Sequence, residues 1–427
     1  MKRSNFHFVR QINEISVLRI IRDQGPISRS DVAREMGVSK VIIGGIVKRL
    51  LETNILFEIG KGQSTTQGGR RPVMLEFNAD AGLAIGIEVH LHRANILITN
   101  MNAEILHERA VKFQDNSNPE AILSRIVKAI QRLVSDNEKI LSILGVGLAL
   151  PGLINYEDGS ISTSHSLKSW EGFPIKKYFE DALDTTVYIE NDVKAITLGE
   201  FHWGAGLDTK NVVYIWLGEG IGAGIIINGE IYRGITASAG EVGYTMIAVK
   251  GINEGSYPIL YQGQDRFGEI LSITNLEKCM EKAVSLNGES SYSPGEEINL
   301  ESISKAAREG DNLSNLALKE FGQILGALTI NVINFFNPEL IILGGPVIDL
   351  CPTVLAEASK KAKADDLHIP ADIVQIKAGS LKDRAGTLGA VGMVLQDLFK
   401  PPIVNLATYR SLILPEKSTA SQEQLYD

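Results

Sequence analysis

The residues with the clearest chemical reach lie near the start of the chain. Gly68-Gly69-Arg70-Arg71-Pro72 carries two guanidinium groups on a glycine stem. Such a stem can reach a narrow groove of concentrated negative potential, as in the minor groove of A·T-rich DNA; a solvated linker with incidental arginines is the plainer alternative. Upstream, Lys40, Lys48 and Arg49 are cations of one predicted helix that also holds Ser39, Val41 and Gly44-Gly45. Each helical glycine costs about 1 kcal/mol against alanine. The pair either lets a partner approach the backbone closely or is a weak point, and the sequence leaves both open. Farther on, His90 and His92 alternate as on a strand, but no third ligand accompanies them, and Cys279 and Cys351 have no CxxC partner. Zinc sites need more, so neither metal nor cofactor is expected.

The elements that must hold those cations can be read from spacing. Ile15, Val17, Leu18, Ile20 and Ile21 give residues 13–23 one apolar helical face, ended by Gln24-Gly25-Pro26. Ser28 stands three residues before Asp31, an N-cap signature, and a second short helix stops at Gly37. Ser39 caps a third helix to about Thr53, with Ile43, Ile46, Val47 and Leu50 turned inward. Two short helices around a glycine turn are helix-turn-helix spacing. Residues 56–59 and 73–77 read as a strand pair around a polar loop, which makes the unit winged. A protein-binding module could share this pattern.

Charge favours DNA. Residues 1–72 hold 13 Lys+Arg and 6 Asp+Glu, a charge of +7, while the remainder of the chain is at −16 and the whole 427-residue chain at −9. A polyanion is drawn to the head and repelled by the body. Hydrophobic residues at 44% and charged residues at 22% are those of a core-forming globular protein, which argues against disordered and coiled-coil classes. No uninterrupted apolar run approaches the roughly 18 residues of a membrane helix, so a cytoplasmic protein without a membrane partner is expected.

The body alternates strands and helices: strands over 84–89, 94–99 and 104–110, a helix over 119–135 and a strand over 144–149. A similar order recurs after residue 188, with strands at 212–217, 223–227, 230–232 and 340–343 and a closing helix near 386–398. This predicts an α/β fold of two similar lobes with a cleft between them. The expected domains are 1–78, 79–200, 201–400 and a tail at 401–427.

The segment LGEGIGAGIIINGEIYRGITASAGEVGY at 217–244 resembles the signature of the ROK family of bacterial sugar kinases and sugar-responsive repressors. LALPGLIN at 148–155, SW-x-G-x-P at 169–174, IEND at 189–192, NPELIILGG at 337–345 and AGTLGAVG at 385–392 stand in the family's order. With the winged head in front, the likeness is to the repressor branch. It implies an actin-like, hexokinase-like body, and it implies that Asn191 and Asp192 contact sugar hydroxyls, with Glu241 as a further ligand and Gly152 in the loop lining the pocket. Acceptors and a mixed donor-acceptor suit a polyol. Asp192 can equally cap the helix 193–200, which does not exclude a ligand role. The family's phosphate-binding hairpin here reads Gly86-Ile87-Glu88-Val89-His90-Leu91-His92, and its second phosphate loop reads Gly218-Glu219-Gly220. Side chains and a carboxylate where phosphate must approach argue against phosphoryl transfer. Tyr244 replaces the family's zinc- and sugar-binding His, its cysteine motif is missing, and Ser166 stands where the pocket Asn is usual.

The expected function is therefore a sequence-specific repressor of carbohydrate genes. A double-stranded DNA operator and a carbohydrate effector are its partners, and the chain is a homodimer or dimer of dimers. The alternatives are a constitutive DNA-binding regulator with a non-sensing dimerisation body, and a sugar kinase.

Overall fold

The computed structural model describes residues 2–62, 71–135, 142–247, 259–286, 291–292, 296–364 and 373–399. Two compact units divide the chain, one built on residues 2–82 with the end of the last helix from Leu395, the other on 83–394.

In the first unit, α1 (Lys2–Gln24) extends the predicted 13–23 helix back to Lys2, and β1 (Ile27–Ser28) leads into α2 (Arg29–Met36) and α3 (Lys40–Glu52). Ser28 Oγ accepts the Asp31 N–H at 3.2 Å, and Gly37 closes α2 at φ 64°, the left-handed region that glycine enters without penalty. Ser39 caps α3 by accepting the Ile42 N–H at 3.4 Å. Val17, Ile21, Val32, Ile43, Val47 and Leu75 are buried completely and lock the three helices to the sheet. That sheet has the order β1-β3-β2, in which β2 (Leu56–Lys61) and β3 (Val73–Phe77) are the antiparallel wing.

The second unit opens with β4 (Leu83–Val89), β5 (Arg93–Thr99), β6 (Ile105–Lys112), α4 (Pro119–Ser135) and β7 (Ile143–Leu150). The small pair β8 (Leu153–Asn155) and β9 (Ser160–Thr163) follows, then α5 (Ile175–Leu183), β10 (Val187–Asn191) and α6 (Asp192–Trp203). Next come β11 (Val212–Leu217), β12 (Ile221–Ile227), β13 (Glu230–Ile231), α7 (Phe267–Ile270), α8 (Ile273–Leu286), α9 (Leu300–Arg308) and α10 (Asn312–Phe336). The unit closes with β14 (Leu340–Gly344), α11 (Pro346–Leu350), α12 (Pro352–Ala364), β15 (Gln375–Ala378) and α13 (Ala385–Phe399), whose last residues join the first unit.

The two sheets, β10-β7-β4-β5-β6 and β13-β12-β11-β14-β15, share one plan. In each, the first strand pairs antiparallel with the second and parallel with the fourth. The expected duplication is thus present as topology. β4 is buried at all seven positions, and its residues 83–87 form the apolar run of a strand covered on both faces. Register aligns Glu88 with Ala149 and Asn191 with Leu150, which brings the carboxyl ends of β4, β7 and β10 to one edge. Ligands of open α/β sheets bind at such an edge. α10 is long and apolar enough to cross a membrane, yet 72% of its apolar window is buried inside the protein.

Candidate functional site

The predicted nucleic-acid face is the outer side of α3. Val41 is 84% exposed and Ile42 48%, so a helix with a packed inner face also presents apolar groups to solvent, where they can meet a thymine methyl. Lys40, Gly45 and Lys48 are exposed beside them. A β-carbon added at Gly44 would meet nothing within 4 Å, and one at Gly45 would find only the Arg49 Nη1 at 4.0 Å. Neither glycine is therefore required by internal packing. Arg49 departs from expectation: its Nη1 donates to the Gly45 carbonyl at 3.0 Å and its Nη2 lies 3.5 Å from the Glu14 carboxylate. The guanidinium braces α3 against α1 instead of projecting outward. Arg71 is exposed at the foot of the wing, and Arg70 lies outside the described residues.

In the body, three of the six residues predicted to hold a ligand, Asn191, Asp192 and Gly152, meet at the start of α6, and Glu241 lies within charge reach of Lys194 in the same helix. The cap of this helix is Asn191, and Asp192 is already its first residue. Asn191 Oδ1 accepts the Lys194 N–H at 3.1 Å, and its Nδ2 donates to the Gly152 carbonyl at 3.0 Å and to Asp192 Oδ1 at 2.9 Å. Both amide protons are spent within the chain, so Asn191 orients Asp192 and the Gly152 loop. Gly152 sits at φ +110°, where a β-carbon would be strained and would strike Thr163 O at 2.3 Å; glycine is thus what lets the 163–166 segment close on the loop. Ser166 lies in that segment, its carbonyl accepting from Asn116 Nδ2 at 3.1 Å.

Asp192 Oδ1 also accepts the Val193 N–H at 2.9 Å. Burial, reinforced by the nearby Glu88 carboxylate, pushes its pKa up to about 6, against the opposing pull of that N–H, His90 and Lys194. Burial likewise raises Glu241, opposed by the charges of Lys194 and His165. His165 and Lys194 are therefore neighbours of the cleft that sequence reasoning missed. Tyr244 is 60% exposed, with its backbone N–H donating to the Glu241 carbonyl at 3.2 Å and the Arg266 guanidinium 5.9 Å from its ring centre.

Next to these residues lies a cavity of about 400 Å³ lined by Glu88, His90, Arg93, Tyr214, Trp216 and Asp349, among others. Glu88 is buried, with His90 Nε2 at 3.6 Å from its carboxylate. β4 ends at Val89, so His90 and His92 fall in the turn and not on alternate strand positions. Among the described residues no group of three His, Cys, Asp or Glu side chains could hold a metal ion. In the second loop Glu219 is exposed and accepts from Thr274 Oγ1 at 2.8 Å. Glu88 and Glu219 thus put a carboxylate in each of the two stretches that the family resemblance gives to phosphate binding.

The pattern of the ROK family matches residues 84–397. The chain belongs to the ROK family. It is 29% identical over 401 residues to the xylose repressor of Caldicellulosiruptor bescii, spanning 93% of this chain and 99% of that protein. It is 26% identical over 348 residues to the transcriptional dual regulator NagC of Escherichia coli, over 81% and 83% of the two chains. Among solved structures, a ROK family transcriptional regulator described as a homologue of the E. coli MLC protein superposes with a TM-score of 0.77 at 24% identity, covering 92% of this chain and 98% of that one. A ROK glucokinase from Streptomyces griseus, solved with glucose and AMPPNP, superposes at 0.59 and 24% identity, covering 73% of this chain and 99% of that one. The kinase likeness covers about as much of the chain as the body does; the regulator likeness includes the head.

Proposed function

We propose that this ROK protein is a sequence-specific DNA-binding repressor of carbohydrate genes whose body binds a sugar and thereby changes operator affinity. The observation that carries the reading is the exposed outer strip of α3, where Lys40, Val41, Gly44, Gly45 and Lys48 offer charge, an apolar contact and unobstructed backbone together. Ser39 fixes the start of that helix, and Arg70 and Arg71 add a minor-groove arm. Two such heads on a homodimer joined through the body would read a palindromic operator. The protein acts where the DNA is, in the cytoplasm.

On the body side, the carboxylates of Asp192 and Glu241 accept sugar hydroxyls, while Asn191, Gly152 and the Ser166 segment hold the pocket's shape. A neutral polyol suits two carboxylates better than a phosphorylated sugar does. The body does not transfer phosphate, because Glu88, His90 and Glu219 occupy the approach that phosphoryl transfer needs open. The test is to select operators from random duplex DNA with the full chain, then titrate the selected duplex with and without D-xylose and N-acetylglucosamine. Binding that one sugar changes supports the reading; no preference for any duplex refutes it.

A further inference from the structure

Glu190, the residue before the cleft's Asn191, is buried completely and has no ligand role in the account above. One carboxylate oxygen accepts the Tyr156 hydroxyl and, at 3.0 Å, the Asn191 N–H; the other accepts Arg233 Nε at 2.8 Å. Arg233 opens the loop that ends at Glu241, and its guanidinium also lies 5.5 Å from the Tyr156 ring centre. A second tie holds the same loop farther along. Lys194, only 2% exposed, donates from Nζ to the Ala237 carbonyl at 3.0 Å. Ala237 sits at φ 61°, a conformation that a β-carbon resists and that persists only where surroundings enforce it. Between the two ties, Ile235 is fully exposed and packs on nothing. The loop thus lacks an apolar anchor at its tip, where two cations hold it to the strand end and helix start that carry Asn191 and Asp192, while its far end is tied to β12 by the Ala223 N–H, which donates to the Gly240 carbonyl at 2.7 Å.

We propose that Glu190, Arg233 and Lys194 are positioning residues that clamp the 233–241 loop and so set the distance of Glu241 from Asp192, which decides whether both carboxylates reach one sugar. Two features support a positional role over a merely stabilising one. Both cations act on a single loop, and the carboxylate that holds Arg233 also accepts the backbone N–H of Asn191, so one buried group registers both sides of the cleft. This rests on the cleft reading above.

The experiment compares wild type, Arg233→Gln and Arg233→Lys in operator titrations at graded D-xylose and N-acetylglucosamine, with amide exchange across residues 233–241 measured in the absence of sugar. Arg233→Gln should raise the sugar concentration at half-response by about tenfold or more, the scale of one lost charge-assisted hydrogen bond. Operator affinity at saturating sugar should stay the same, loop exchange should quicken, and Arg233→Lys should restore part of the response. An unchanged half-response and unchanged exchange in Arg233→Gln would overturn the proposal. Should the glutamine variant fail to fold, Lys194→Met, which frees Ala237 alone, is read the same way. Should wild type answer neither these two nor any other neutral sugar, the cleft reading falls and the exchange decides this proposal by itself: faster loop exchange in the variants upholds the clamp, and equal exchange removes it.

Discussion

Replacing Gly44 with alanine should make the first unit more stable and its operator binding weaker, an opposition that few other substitutions would produce. The stability side follows from the empty space outside the helix: a β-carbon at Gly44 meets nothing within 4 Å, so alanine introduces no clash and recovers the glycine penalty of about 0.5–1 kcal/mol. Amide exchange in α3 should slow by roughly 2- to 5-fold wherever it proceeds through opening of that unit. The affinity side follows from what the space is for. If phosphate or base edges approach the backbone there, the added methyl must displace them, at about 1–3 kcal/mol as in other overpacked contacts, or roughly 5- to 150-fold in affinity. Gly45→Ala should behave alike, with a smaller stability gain because the Arg49 guanidinium already borders that site. The assay is the pair of measurements on the same preparations, exchange and titration of a selected operator. Variants that bind DNA as tightly as wild type would refute the close-approach argument and leave the glycines as a mere weak point of the helix.

The other expected outcomes concern the wing and the cleft. Arg70→Ala with Arg71→Ala should weaken binding to A·T-rich operators and lower the salt slope by about one unit per lost phosphate contact; equal slopes would remove the wing from the interface. Asp192→Asn keeps an oxygen for Asn191 Nδ2 and the Val193 N–H while removing the carboxylate, so the sugar response should weaken by about 10- to 150-fold, the range for a hydrogen bond to a charged group. An undiminished response would place the sugar elsewhere. The response should also fall in acid. With a pKa of about 6, Asp192 is mainly the carboxylate above that pH and mainly the poorer, protonated acceptor below it, so sugar affinity should drop by roughly tenfold from pH 7 to pH 5. Its burial also favours the neutral form in the folded state, so this group's contribution to stability is greatest below the usual carboxylate pKa and is lost as pH rises toward 6. A sugar midpoint that does not move with pH would contradict the assignment.

How far the sequence reached depends on whether a feature is local. The caps at Ser28 and Ser39 and the turn at Gly37 were legible because each is a contact over three or four residues. The central sheet strands were legible because burial on both faces writes an apolar run, as over residues 83–87 of β4 and throughout β14. The starts of α6 and α1 were less so. Asn191 and Asp192 are both good cap formers, and what selects Asn191 is the distant Gly152 carbonyl that takes its amide. Arg49 reads as an outward cation until α1 brings Glu14 beside it. Phe399, at the end of the last helix, packs edge-to-face on Phe77 at 6.2 Å and lies 4.0 Å beneath the Arg22 guanidinium, a partnership between the two ends of the chain that no local pattern records. His165, Lys194 and Arg233 escaped notice for the same reason, since their roles exist only once the loops from both lobes converge on α6.

The central claim is that one chain couples a sugar in the body to DNA at the head, and the most direct test is an equilibrium titration of a selected operator duplex with the full-length protein, with and without sugar, at fixed salt. The account predicts tight, sequence-dependent binding whose affinity shifts by roughly 5- to 150-fold when D-xylose, N-acetylglucosamine or another neutral sugar saturates the protein, the usual scale of coupling between two sites. Operator binding that is identical at every concentration of every neutral sugar would contradict it.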